Sequence, residues 1–454
     1  MSPEMIVALG SAFTAYLQFF EVCVAYRPTA DHLHAYCRGL LSDLPRKSVE
    51  PIALACGSAV RTLQEFLRDH VWDHFAMRDL LQQRLARSAP LAVPDDLGTL
   101  GVLDETSVAK KGTKTPGVQR QYCGSRGKID NCVVTVHLAV VRGLFQTLVD
   151  AALFLPRSWS DDRDRCREAK IPDDLVHRPK WRIALELLAR AAKNGLALAW
   201  LTFDEGYGGK PAFLAALDAL PGMSYIGEIP RNFRCLTRKP RGRKPRKGWK
   251  GKRVDSLARF SSAWNRQDWR GVSLARLTLA EQVWEIRFAQ VYLLRDGDLT
   301  ERTYWLIVAR NEATGEVKYF VSNAPATTAV ETLLRVAFTR WRVEHAFRVA
   351  KTEIGFGHFE GRSYVALMRH MILCVMVMGF VAEQTDRLRG EKPGGDAGAG
   401  VPGAERALPP LEPEAAPHER TEPHRRGDQL PPAAQPGRPP VAAESPTAAT
   451  NVAL

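Results

Sequence analysis

Residues 131–155 read NCVVTVHLAVVRGLFQTLVDAALFL, two apolar runs divided by Arg142 and Gly143. The first run is rich in β-branched residues, among them Val133, Val134, Val136, Val140 and Val141. Such side chains favour extended backbone, and an Arg-Gly break between two apolar runs is a hairpin signal. Upstream, residues 99–103 (TLGVL) make a short strand-like run leading into Asp104. Downstream, residues 181–192 space their apolar side chains as an amphipathic helix and 196–203 form a strand ending at Asp204. Residues 211–220 then read as a helix and 223–229 as a further strand. Three early strands followed by helix, strand, helix, strand describe an α/β layer built on a mixed sheet.

The regions on either side differ in character. Residues 1–95 form a helical N-terminal domain, with three- and four-residue apolar spacing over 60–67 and 77–85, closed by the Pro-bearing stretch 89–94. Residues 96–230 are the first part of the α/β core. Residues 231–325 interrupt it as a β-rich insertion, with short strands around 284–294, 304–308 and 318–322. Residues 326–390 return to the core as helices over 329–352 and 363–387. The tail, 391–454, holds 13 of the 29 prolines and no Phe, Trp, Tyr, Ile, Met or Cys, so it is expected to be disordered.

The chain has 454 residues and a formal charge of +13, and twelve basic residues with no acidic one lie within 231–253. The remainder is close to neutral, which excludes a uniformly basic coat. In the loop 238–253, Arg241, Arg243, Lys244, Arg246, Lys247 and Lys250 suit phosphate contact, while the plainer reading is a solubilising loop. Trp264, Trp269 and Trp284 in the same insertion suit either base stacking or a β-core. Eight cysteines without a C-x-x-C pair point to reduced thiols in a cytoplasm and to no zinc site. Residues 5–26 are apolar with no basic stretch ahead of them, a packed helix rather than a signal peptide. The apolar run 372–381 falls short of the roughly 20 residues a bilayer span needs, so no membrane insertion is expected.

Chemistry concentrates at three carboxylates. Asp104 and Asp204 each follow an apolar strand, a placement that holds a divalent cation such as Mg²⁺ or simply begins a turn. In RWRVEHAFRVAK, Arg340, Glu344 and Lys351 are spaced by four and seven residues, which puts them within about 40° on a helix. Glu353 falls on the opposite face. Val343, Phe347, Ala350 and Ile354 make an apolar stripe alongside, so Glu344 lies near a packed edge rather than on a bare salt-bridged surface. GYGGK at 206–210 is not a phosphate-cradling loop, and no G-x-S-x-G elbow is present.

Four segments carry a resemblance. They are AYCRGLLSDLPRKSVEPIA (35–53), LDETSVAKKGTKTPGVQRQYCGSRGKIDNCVVTVHLAVV (103–141), LTFDEGYGGKPAFLAAL (201–217) and RWRVEHAFRVAKTEIGFGHFEGRSYVALMRHMIL (340–373). Over roughly residues 30–385 the chain resembles DDE transposases of bacterial insertion sequences, in the branch called insertion-sequence family 701, with R-Q-Y-C-G and K-x-D-N-C the specific elements. The resemblance implies a ribonuclease-H-like core interrupted by a β-rich insertion, with a helical N-terminal domain that binds DNA ends. It implies Asp104, Asp204 and Glu344 as catalytic metal ligands, Mg²⁺ as cofactor with Mn²⁺ able to substitute, and two-metal phosphoryl transfer. Arg340 and Lys351 fit the Y-R-E-K signature of related transposases; the tyrosine position is Ala337, a departure. Lys110 and Lys111, near the first Asp, are further candidates for DNA-backbone contact, with solvated lysines the equal alternative. The implied partners are double-stranded DNA, both terminal inverted repeats and target, and further copies of the chain during synapsis. The implied location is the bacterial cytoplasm, on the nucleoid. The alternative is a catalytically silent DNA-binding remnant, decayed or domesticated, kept in view by the abrupt change of composition after Arg387.

Overall fold

The computed structural model describes residues 3–239, 251–273, 283–295 and 297–390. The expected tail at 391–454 lies outside the described residues, as do Arg241, Arg243, Lys244, Arg246, Lys247 and Lys250. The strands, in chain order, are β1 (Leu100–Ala109), β2 (Gln119–Cys123), β3 (Lys128–Arg142), β4 (Phe145–Leu153), β5 (Trp200–Phe203) and β6 (Ser224–Glu228). They continue as β7 (Arg234–Leu236), β8 (Lys252–Arg253), β9 (Arg270–Ser273), β10 (Val283–Arg295), β11 (Asp298–Leu299), β12 (Tyr304–Asn311) and β13 (Val317–Ser322).

The hairpin read at 131–155 is β3 and β4, joined at Gly143, whose positive φ of 53° suits a residue without a Cβ. β1 runs antiparallel to β3 on its other edge, from Leu100↔Val141 to Ala109↔Cys132. β5 and β6 follow in parallel, through Leu103↔Phe203 and Phe203↔Gly227. This order, β4-β3-β1-β5-β6 with three antiparallel strands leading two parallel ones, is the ribonuclease-H-like mixed sheet. β13 then adds antiparallel to β6, followed by β12 and β10, so strands of the 231–325 segment extend the same sheet. An ion-paired cluster ties that extension to the helix Pro211–Asp218. Asp218 accepts from the Tyr304 hydroxyl at 2.6 Å and pairs with Arg295 and Arg302.

The expected helix over 329–352 is two, Val330–Thr339 and Trp341–Thr352, meeting at Arg340. Around that residue the ladder tightens, with Arg340 N–H bonded to Ala337 O and Val343 N–H to Arg340 O. Ala337, at the tyrosine position of the signature, is buried. The apolar run at 372–381 belongs to a longer helix, Tyr364–Gly390, whose 27 residues suffice by length and composition to cross a membrane. Its apolar window is 83% buried inside the protein, as befits a core helix. The N-terminal helices enclose it. Tyr16 donates to Met376 O at 2.8 Å, Tyr36 Oη meets His370 Nδ1 at 2.9 Å, and Arg369 donates to the carbonyls of Phe66, Leu67 and Trp72. Trp264 and Trp284 are core residues, each 1% exposed, which leaves neither ring free to stack on a base. Trp269 is partly buried, with the guanidinium carbons of Arg287 and Arg310 at 4.5 and 4.4 Å from its ring centre.

Candidate active site

The parallel pairing of β1 and β5 brings Asp104 and Asp204 together. Their last paired residues are Leu103 and Phe203, so each aspartate is the next residue on adjacent strands, whose spacing is about 4.8 Å. Asp104 does not end its strand, as the sequence suggested. β1 continues to Ala109 on β3 alone after β5 stops, and so Asp104 sits within the sheet at 8% exposure. Asp204 does end β5, and its Oδ1 also caps the short helix Glu205–Gly208, accepting from Gly206 N–H at 3.0 Å and Tyr207 N–H at 3.4 Å. The turn and ligand readings of this residue are therefore compatible. The glycines here serve packing: a Cβ on Gly208 would stand 2.0 Å from Glu228 O.

Glu344 arrives from the helix Trp341–Thr352. Phe347 of that helix packs its ring 5.1 Å from His137, which is paired with Asp104 and shares its sheet face. Asp104, Asp204, Glu344 and Lys351 consequently line one cleft of about 430 Å³, together with Glu105, Tyr122, Ser125, Phe347 and Arg348. Arg340 bridges two of the carboxylates, 2.8 Å from Asp104 Oδ2 and 3.3 Å from Glu344 Oε1. Burial nonetheless dominates at Asp104. It raises the carboxyl from 3.8 to about 7 against the attraction of Arg340, and the neighbouring Asp204 charge adds to the rise. Lys351 is lowered by burial, with Cys123 and Asp104 opposing. His137 is pushed down to about 3 by burial and by Lys351, so it is a neutral imidazole at ordinary pH.

Other basic candidates are placed differently. Lys110 turns inward, donating to the carbonyls of Gly357 and Phe359, and burial lowers it to about 8. Its ammonium is committed to holding the 355–360 loop rather than offered to a phosphate. Lys111 is exposed on the loop after β1. Arg348 was overlooked in the sequence, although its position four residues from Glu344 places it on the same helix face.

The donor set suits a hard divalent cation in kind, all carboxylate oxygen. The buried Tyr207 hydroxyl beside it has no hydrogen-bond partner among the described residues. The carboxylates are not gathered, however. Among the described residues no three His, Cys, Asp or Glu side chains stand close enough to share a metal ion, and Glu344 is turned toward Arg340.

A ribonuclease-H-like sheet with two aspartates side by side, where the pairing of its central parallel strands β1 and β5 stops, defines a class of polynucleotide-cleaving proteins. The chain matches the family described as DDE superfamily endonuclease over residues 19–287, more than half its length, and it belongs to that superfamily. It is also similar to the probable transposase for insertion sequence element IS701 of Microchaete diplosiphon, 31% identical over 210 residues, 44% of this chain and 48% of that protein. The similarity thus spans about half the length of the curated relative. Asp104 and Asp204 lie inside the family match and Glu344 beyond it.

Proposed function

We propose that this protein is a transposase that cuts DNA at the ends of an insertion sequence and joins them to target DNA, with Asp104, Asp204 and Glu344 as its catalytic carboxylates. The observation that carries the reading is the convergence of these three, far apart in sequence, on one cleft. Asp104 and Asp204 would hold Mg²⁺, with Glu344 as the third ligand after exchange of its contact with Arg340. Bound divalent ions would supply activation of the attacking oxygen and stabilisation of the leaving one. The protein's own residues do the rest. Lys351 and Arg348, on the cleft wall, contact phosphates flanking the scissile bond, contacts that position rather than specify. Arg340 holds Asp104 and Glu344 in register across the β1–helix junction, and its guanidinium would also serve as a contact for a DNA phosphate near the scissile bond. The basic segment within 231–253 tracks the DNA backbone. The test is nicking of duplexes carrying the element's own terminal sequences, with Mg²⁺ or Mn²⁺ against EDTA. Metal-dependent cutting that disappears in Asp104→Asn and Asp204→Asn supports the reading; cutting retained in both variants overturns it.

A further inference from the structure

The R-Q-Y-C-G and K-x-D-N-C elements, so far without a role, form the two strands of one hairpin. β2 and β3 pair from Gln119↔Cys132 to Cys123↔Lys128 around a turn completed by Gly127 at φ 63°. One face of this hairpin is anchored. Cys123 and Cys132 are fully buried and pack with Val134 in a small core of their own, against Ala109 and Phe154. The other face is bare. Tyr122 is 65% exposed, and Ile129, directly opposite it in register, is 63% exposed. An aromatic and a branched aliphatic side by side in water, on a hairpin held from behind, form a platform that is left uncovered among the described residues.

Register shows where the platform faces. Ile129 and His137 are eight residues apart on β3, and His137 pairs with Asp104, so strand alternation puts Tyr122, Ile129, His137 and Asp104 on one face of the sheet. Tyr122 is also part of the cleft that the three carboxylates line. Arg120, two residues before Tyr122 and on the same face, is exposed, and Arg348 and Lys351 line the cleft together with Tyr122. Aromatic surface flanked by cations is the combination that holds single-stranded nucleic acid, the ring stacking on a base and the cations on its phosphates.

The geometry points to Tyr122, backed by Ile129, as the stacking platform for an unpaired base of the DNA strand lying in the carboxylate cleft. Its ligand class is a nucleobase in single-stranded DNA, and the inference rests on the cleft being the DNA-cutting site. Tyr122 is a positioning residue here: by holding a base beside the cut it fixes the strand's path past Asp104 and Glu344.

The probe is a short single-stranded oligodeoxythymidylate with one central 2-aminopurine, titrated into the full chain in EDTA and compared with a blunt duplex. Wild type and Tyr122→Phe are expected to quench the fluorescent base. Tyr122→Ala should lose the quenching and bind the single strand roughly tenfold more weakly, with little change on the duplex. Because Tyr122 is exposed, its truncation leaves the core intact, which circular dichroism verifies. Quenching and affinity unchanged in Tyr122→Ala overturn the inference. So does a change of oligomeric state with quenching retained, which would make the hairpin a contact between copies. Cleavage by Asp104→Asn reports separately on the active-site reading: if that variant cuts normally the carboxylate reading fails whatever Tyr122 does, and if it is dead while Tyr122→Ala behaves as wild type, only the platform fails.

Discussion

Asp104→Asn should stabilise the metal-free protein while abolishing its chemistry. Burial lifts the Asp104 carboxyl from 3.8 to about 7 in the folded chain. The direction of the linkage follows from proton counting. Between these two values the folded state holds a proton that the unfolded state has released, so stability falls as pH rises through that window. A shift of about three units corresponds to about 4 kcal/mol, fully lost above about pH 7 and regained below about pH 4. The figure already contains the attraction of Arg340, which opposes the rise. Asparagine resembles the protonated acid and keeps an oxygen for the Glu105 N–H, now bonded to Oδ1 at 2.7 Å. Arg340 keeps Glu344. Urea unfolding in EDTA should then show the variant more stable by about 2–4 kcal/mol near pH 8, the two proteins converging toward pH 4. A variant less stable than wild type near pH 8, or one with the same pH slope, would refute the claim that Asp104 is held at a cost to stability.

Further outcomes follow from other parts of the fold. Replacing Arg241, Arg243, Lys244, Arg246, Lys247 and Lys250 by alanine should flatten the salt dependence of DNA binding by about 0.9 in log–log slope for each phosphate that is no longer neutralised, read by anisotropy between about 50 and 200 mM salt. An unchanged slope would remove this segment from the interface. Gly227→Ala should destabilise by about 1–3 kcal/mol or more, because the new Cβ would lie 1.9 Å from the Phe203 ring, next to Asp204. Its chemical denaturation curve is the check. Asp218→Ala should cost about 3 kcal/mol, since it strips the shared carboxylate from Arg295, Arg302 and the Tyr304 hydroxyl, and thermal melting would report it.

Much of this was legible in the sequence where burial dictates composition. The apolar runs that form β1, β3, β4 and β5 had to be strands of a covered sheet, and the four- and seven-residue spacing of Arg340, Glu344 and Lys351 put all three at one site. Asp104 was misjudged as the end of its strand because β1 outlasts its pairing with β5, which only the partner's length decides. β2 went unseen since QRQYC carries its side chains into solvent on one face and shows no apolar run. Lys110 read as a lysine that either touches the DNA backbone or is solvated; nothing local reveals that the carbonyls of Gly357 and Phe359, far along the chain, would claim it. The reach of Arg340 to Asp104, 236 residues away in sequence, is likewise a product of tertiary packing.

The sharpest question is Glu344, which lies beyond the span matched by the family and is turned to Arg340 rather than to the aspartates. The deciding measurement is the rate of metal-dependent strand cleavage by Glu344→Gln beside Glu353→Gln, with end binding measured in parallel. The account predicts that Glu344→Gln binds DNA ends as wild type does and loses cleavage by a factor on the order of a thousand, while Glu353→Gln cuts at the wild-type rate. Normal cleavage by Glu344→Gln, or its loss in Glu353→Gln instead, would contradict it.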